Sequence, residues 1–219
     1  MKIGLLFDLD GTLLDTLGDL ANSTNAALAV FGYPQRTLEE IRSFVGNGAK
    51  NLCRQAMPPE AENVEEVLSA FQAHYKDHCN LETAPYAGIP AALEQLKDIP
   101  MAIVSNKPDY AVKELAEVFF PGIYARGEVA GVPRKPAPDM LYKAMEDIGV
   151  EKCIYIGDSE VDLQTTLGVG IPCLSVTWGF RKEEALRAAG ATHFCHNVAD
   201  MPRILRPGSC AKCCRRFDS

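Results

Sequence analysis

Two aspartates, Asp8 and Asp10, stand in the run FDLDGTLLDT directly after a short apolar stretch. Like charges this close are costly unless a cation sits between them. The pair therefore reads as a metal-holding, acid-bearing site or as a polar turn leaving a strand. Three further groups recur in the same setting. Ser105, Asn106 and Lys107 follow MAIVS, where a hydroxyl and backbone amides can cradle phosphate oxygens or simply start a helix ahead of Pro108. Lys135, in VPRKPAPDM, offers a compact cation that neutralises phosphate charge or is solvated on a loop. In GDSEVD, Asp158 ends an apolar run and Asp162 falls one helical turn later on the same face, unless the stretch only caps a helix. Each group is weak evidence alone. Their shared placement after apolar runs is what points to one phosphate-handling site.

The elements that must position these groups alternate along the chain. Apolar runs at 3–7, 101–105, 153–156 and 172–177 have the length and continuity of parallel strands covered on both faces, with a shorter candidate at 123–129. Helical patterns occupy 89–97, 109–119, 139–148, 160–167 and 183–189 between them, and Gly149 closes the third. The alternation predicts a doubly wound α/β sheet. Residues 15–82 break the rhythm with helical patterning alone, interrupted at Gly32–Pro34, Gly46–Gly48 and Pro58–Pro59. This stretch is expected to be a helical insert (15–82) over the carboxyl edge of a core formed by 1–14 and 83–208, followed by a cysteine-rich, disordered tail at 209–219.

Composition narrows the function classes. The chain has 219 residues and a formal net charge of −7, without a lysine- or arginine-rich block in its body, which argues against nucleic-acid binding. No apolar run approaches the roughly 18 residues of a membrane span, and Asp8 arrives too early for a signal peptide, so no membrane partner and a cytoplasmic location are expected. Of eight cysteines, Cys53, Cys79, Cys153, Cys173 and Cys195 read as small buried hydrophobes, while Cys210, Cys213 and Cys214 crowd the tail. His74 and His78, four apart on a helical pattern, lack a third ligand and read as solvated positions, while a zinc site from His193 and His196 around Cys195 with the tail cysteines lacks the second spaced pair it needs. Trp178 reads as a core aromatic or as a wall of the site mouth.

With FDLDGT, the SN pair, the lysine before PAP, and GDSEVD in this order to about Leu205, the chain resembles the haloacid dehalogenase superfamily. Within it the closest resemblance is to phosphoglycolate phosphatases with a helical cap, through VGNGAKNL at 45–52 and VTWGFR at 176–181. The resemblance implies a Rossmann-like core and a nucleophilic Asp8 that forms an aspartyl phosphate. It implies Asp10 as the acid for the leaving oxygen and then the base for water. Mg²⁺ would be held by the Asp8 carboxylate, the Asp10 carbonyl and Asp158. Ser105, the Asn106 amide and Lys135 would bind the phosphoryl oxygens, with Asp162 orienting the metal site or Lys135 from behind. Dehalogenases of the superfamily lack an aspartate at the Asp10 position, which favours phosphoryl transfer.

A small phosphorylated metabolite is thus the expected partner, with monomer and homodimer both open. A sugar-phosphate phosphatase, a mutase resembling β-phosphoglucomutase, and a non-catalytic binding protein on the same fold remain alternatives. Substrate choice is expected in the insert. Gly46, Asn47 and Gly48 permit close backbone approach, and Arg42 and Lys50 flank them with charge suited to a small carboxylate such as that of 2-phosphoglycolate. The alternative there is an ordinary turn with two solvated cations.

Overall fold

The computed structural model describes residues 3–206, so the tail expected at 209–219, with Cys210, Cys213 and Cys214, lies outside the described residues. The chain opens with β1 (Ile3–Phe7) and a short β2 (Leu14–Asp15). Four helices follow: α1 (Leu17–Val30), α2 (Leu38–Phe44), α3 (Ala49–Ala56) and α4 (Val64–His78). The short β3 (Ala84–Pro85) returns the chain, and α5 (Ile89–Gln95), β4 (Met101–Pro108), α6 (Asp109–Phe119) and β5 (Tyr124–Glu128) continue it. After these come α7 (Asp139–Asp147), β6 (Lys152–Gly157), α8 (Glu160–Val169), β7 (Cys173–Val176), α9 (Glu183–Ala188), β8 (Phe194–Cys195), a 3₁₀ turn (Val198–Asp200) and α10 (Met201–Leu205). No helix among the described residues is long and apolar enough to cross a membrane.

The six-stranded sheet has the order β5-β4-β1-β6-β7-β8, and its paired strands are parallel. β1 is central because both of its faces can be buried. Leu5 and Phe7 join the larger core with Ile103, Ile156, Ile89 and Leu115, whereas Leu6 turns to the opposite cluster with Val104, Tyr155, Met140 and Leu141. That explains why its sequence is continuously apolar instead of alternating. The chain builds β4 and β5 on one side of β1 and then crosses to β6 on the other. A reversal of this kind opens a crevice at the carboxyl ends of the strands, where ligands bind in open α/β sheets.

The boundaries differ from the sequence reading in informative places. β4 runs on to Pro108 instead of stopping at Ser105, with an irregular register against β5 between Val104 and Pro108. Ser105, Asn106 and Lys107 therefore lie within the last part of a strand. The two-residue β2 and β3 were not expected; they pair antiparallel, Leu14 with Pro85 and Asp15 with Ala84. This brings together the two ends of the four-helix segment, whose interior is packed by Leu28, Ile41, Leu52, Val67, Phe71 and Tyr75.

The junction is held by Asp19, a buried carboxylate at the start of α1. Asp19 accepts hydrogen bonds from the Glu82 amide at 3.0 Å, the Thr83 amide at 2.9 Å and the Thr83 hydroxyl at 2.7 Å. Charged acceptors make the stronger hydrogen bonds, and amides left unpaired in a buried place are costly. Asp19→Ala is expected to lower the unfolding free energy by about 2–4 kcal/mol, read from urea-induced unfolding; a loss below about 0.5 kcal/mol would show that the junction is held elsewhere.

Candidate active site

Asp8 leaves β1 with its amide donating to the Ile156 carbonyl of β6 at 2.9 Å, so the sheet ladder itself aims the residue. Its carboxylate accepts from the Lys135 ammonium at 2.9 Å. The same ammonium donates to Asp162 at 2.8 Å and to the Tyr155 hydroxyl at 2.7 Å, which in turn donates to the Val104 carbonyl at 3.0 Å. Lys135 thus spends all three N–H groups on buried partners. Asp162 also accepts from the amide and hydroxyl of Ser159, closing a reciprocal cap at the start of α8. One carboxylate therefore starts a helix and steadies a cation.

Asp10 lies on the other side of the β1 exit. Its carboxylate accepts from the Thr16 hydroxyl at 2.7 Å and from the Lys107 ammonium at 2.9 Å. Asp158, at the end of β6, accepts from the Phe180 amide at 2.7 Å and the Thr12 hydroxyl at 3.3 Å. Asn106 donates to the carbonyls of Lys135 and Gly46 at 2.8 and 3.1 Å, while its own side-chain oxygen is buried without a partner among the described residues. Ser105 is buried beside it, with the Lys107 amide donating to its hydroxyl at 3.3 Å. The residues singled out in all four motifs converge on one place.

The electrostatics suit a divalent cation. Asp8, Asp158 and Asp162 bring carboxylate oxygens within 4.8 Å of one another, all three buried. Burial pushes the Asp8 carboxyl up to about 7 against the pull of Lys135, and the charges of Asp162 and Asp10 add to the rise. Burial also drives Asp158 well above the usual carboxylate range, with Asp8 and Asp162 contributing. The four carboxylates outnumber the two buried ammonium groups. Hard oxygen donors in such a concentration match the preference of Mg²⁺. Asp162 is already committed to Lys135 and Ser159, so Asp8 and Asp158 are the carboxylates better placed to take the ion.

A cleft of about 640 Å³, counting the solvent space at its mouth, opens above these groups. Asp8, Asp10, Ser105, Asn106, Lys135 and Asp158 line it from the sheet, and Leu20, Gly46, Gly48, Leu52, Phe71 and Tyr75 from the helical segment. Gly46 and Gly48 have φ of 122° and 79°, a left-handed backbone that a side chain would strain. The two cations expected to face a substrate from this segment do otherwise. Lys50 is exposed and ion-paired with Glu65 on α4, and Arg42 pairs with Glu39 at 3.3 Å; neither lines the cleft, nor does the half-buried Asn47. Helix geometry explains this, since neighbouring carboxylates on α2 and α4 hold both side chains.

Three contributors received no role of their own from the sequence. Lys107 carries the Asp10 contact, and its only sequence signal was adjacency to Ser105 and Asn106. Tyr75 belongs to a helix remote in sequence. Arg181 bonds the carbonyls of Arg42 and Val45 at 3.0 and 2.6 Å and Glu160 at 3.0 Å, tying the loop before Gly46 to α8. Trp178 packs against the core and donates to the Thr12 carbonyl at 3.0 Å. His74 and His78 stack at 4.0 Å, with His74 bonded to Ser23 and His78 to the His74 carbonyl; His196 contacts Glu183 and Thr177, and His193 contacts Thr192.

Comparison with known proteins agrees with this geometry. The family model described as haloacid dehalogenase-like hydrolase matches residues 5–176. A phosphoglycolate phosphatase of Rhodobacter capsulatus is 36% identical over 218 residues, covering 94% of this chain and 97% of the relative. Phosphoglycolate phosphatase 1 of Pseudomonas aeruginosa is 32% identical over 211 residues, covering 90% and 77%. A crystal structure from Lactobacillus delbrueckii subsp. bulgaricus, assigned as a phosphoglycolate phosphatase, superposes with a TM-score of 0.87 at 35% identity, covering 94% of this chain and 99% of that one. The chain belongs to the haloacid dehalogenase-like hydrolase family, as one of its phosphatases.

Proposed function

We propose that the chain hydrolyses a small carboxylated phosphomonoester, with 2-phosphoglycolate the first candidate, by way of a phosphorylated Asp8. The observation that carries this reading is the division of labour at the β1 exit: Asp8 and Asp10 both line the cleft, each tied to a different buried lysine. In the first step an Asp8 oxygen attacks phosphorus and the bond to the leaving oxygen breaks as Asp10 supplies the proton. In the second, Asp10 takes a proton from water, which displaces the phosphoryl group and regenerates the carboxylate. Ser105 and the Asn106 amide hold the phosphoryl oxygens while charge redistributes, and the Lys135 ammonium beside Asp8 offsets their negative charge.

Magnesium would be held by the Asp8 and Asp158 carboxylates with the Asp10 carbonyl, and would neutralise phosphate charge. Asp162 keeps Lys135 in place. The four-helix segment acts as a lid: its Gly46–Gly48 loop already contacts Asn106, and closure keeps bulk water from the site while Asp8 attacks, leaving room for the single water of the second step. The names of the relatives support 2-phosphoglycolate over other esters.

Asp8→Asn should remove turnover by on the order of 10⁴-fold or more while circular dichroism shows an unchanged fold; substantial kcat in the folded variant would contradict a nucleophilic Asp8. Asp10→Asn should slow alkyl esters by roughly 10²–10⁴-fold and p-nitrophenyl phosphate far less, because nitrophenolate leaves without a proton. Equal losses on both would remove the acid from Asp10. Chelation by EDTA should abolish activity and added Mg²⁺ restore it, whereas full activity after exhaustive chelation would rule out the ion. A panel of phosphate esters compared by kcat/KM tests the substrate.

A further inference from the structure

The cleft has two chemically distinct ends. Around Asp8, the phosphoryl side is crowded with polar groups, and its cation Lys135 has no N–H to spare. Beside Asp10 stands a second buried ammonium, Lys107, against the Tyr75 ring that Phe71 stacks on, and Leu20 and Leu52 add apolar surface to the lining of the same cleft. That ammonium gives one N–H to Asp10 and lies against Tyr75, 4.7 Å from the centre of its ring, which leaves it a further N–H for a group entering the cleft it lines. Arg181, the other cation of the lining, is committed to Glu160 and two backbone carbonyls.

Tyr75 adds an independent observation. It is fully buried and lines the same end, and its hydroxyl meets no hydrogen-bond acceptor among the described residues. The ammonium beside it can only donate. A buried O–H without an acceptor is unfavourable and rare, and it signals a group that arrives from outside. Two donors, one of them charged, thus converge in an apolar pocket next to the carboxylate that serves the leaving oxygen. A carboxylate separated from that oxygen by a single methylene falls within their reach, and low polarity strengthens the contact.

We infer that Lys107 and the Tyr75 hydroxyl form the subsite for the carboxylate of the leaving group, so that the strand β4 and the helix α4 together select the substrate. The inference rests on Asp10 being the acid for the leaving oxygen. It relocates substrate choice from Arg42 and Lys50, which pair with Glu39 and Glu65 and do not line the cleft. It also makes selection depend on lid position, since Tyr75 comes from the helical segment and Lys107 from the sheet.

The test compares 2-phosphoglycolate with 2-hydroxyethyl phosphate. Both have alkyl leaving groups that need a proton, so any damage to Asp10 affects them alike, and only the first carries a carboxylate. The wild-type enzyme should favour 2-phosphoglycolate in kcat/KM. Lys107→Gln should shrink that preference by roughly 10–100-fold, the range of a charge-assisted hydrogen bond, and Lys107→Arg should keep most of it. Tyr75→Phe should shrink it by roughly 3–10-fold. Lys107→Met reads the same ratio if the amide variant does not fold. Equal losses on both esters would mean that Lys107 only positions Asp10 and would overturn the subsite. A wild-type enzyme active on both esters without preference overturns the subsite but leaves the hydrolase mechanism standing. One active on neither overturns the proposed substrate class and the subsite together.

Discussion

The buried ammonium of Lys135 is the point on which this site depends. It lies between Asp8 from β1 and Asp162 from α8, with the Tyr155 hydroxyl of β6 completing its shell. Without it, carboxylates would face each other in a medium that screens them poorly. Removing one partner from such a buried set typically costs about 3–5 kcal/mol, because the remaining charges lose their compensation. Such a set contributes more to geometry than to stability: the ammonium anchors one Asp8 oxygen while the residue lines the cleft.

Backbone geometry does as much as charge. Asp158 is enclosed so closely that a Cβ on Gly179 would come within 2.4 Å of its side chain and of the Gly11 carbonyl. Only a residue without a side chain lets the loop after β7 approach, which brings the Phe180 amide to 2.7 Å from the Asp158 carboxylate. Main chain thus encloses part of the charged cluster and fixes the Asp158 carboxylate at the wall of the cleft.

The helical segment is joined to the sheet at two levels. At its base, β2 and β3 pair and Asp19 gathers the amides and hydroxyl of the returning chain. At its tip, Arg181 and Asn106 hold the carbonyls of Arg42, Val45 and Gly46. The base bonds are buried and converge on a single carboxylate. The tip bonds end on carbonyls of a loop with left-handed glycines, and they are the ones that would have to break for the cleft to open. A firm base with a releasable tip is the mechanical form a lid requires.

By itself the sequence determined the parallel α/β order, because continuous apolar runs alternating with helical patterns have few other ways to bury both faces of a strand. It also singled out Asp8, Asp10, Ser105, Asn106, Lys135, Asp158 and Asp162, since each stands at or near the end of such a run, and carboxyl ends of parallel strands converge in space. Tertiary structure alone decided what surrounds them. Lys107 meets Asp10 only because β4 neighbours β1 and continues past Ser105, a register no local pattern encodes. Tyr75 reaches the cleft only through the packing of α4 over the sheet. Arg42 and Lys50 had the right charge and the right neighbourhood in sequence, but they pair with Glu39 and Glu65 and neither lines the cleft. Spacing along a chain reports which face of an element a residue occupies; the partner across that face is set by how the elements pack.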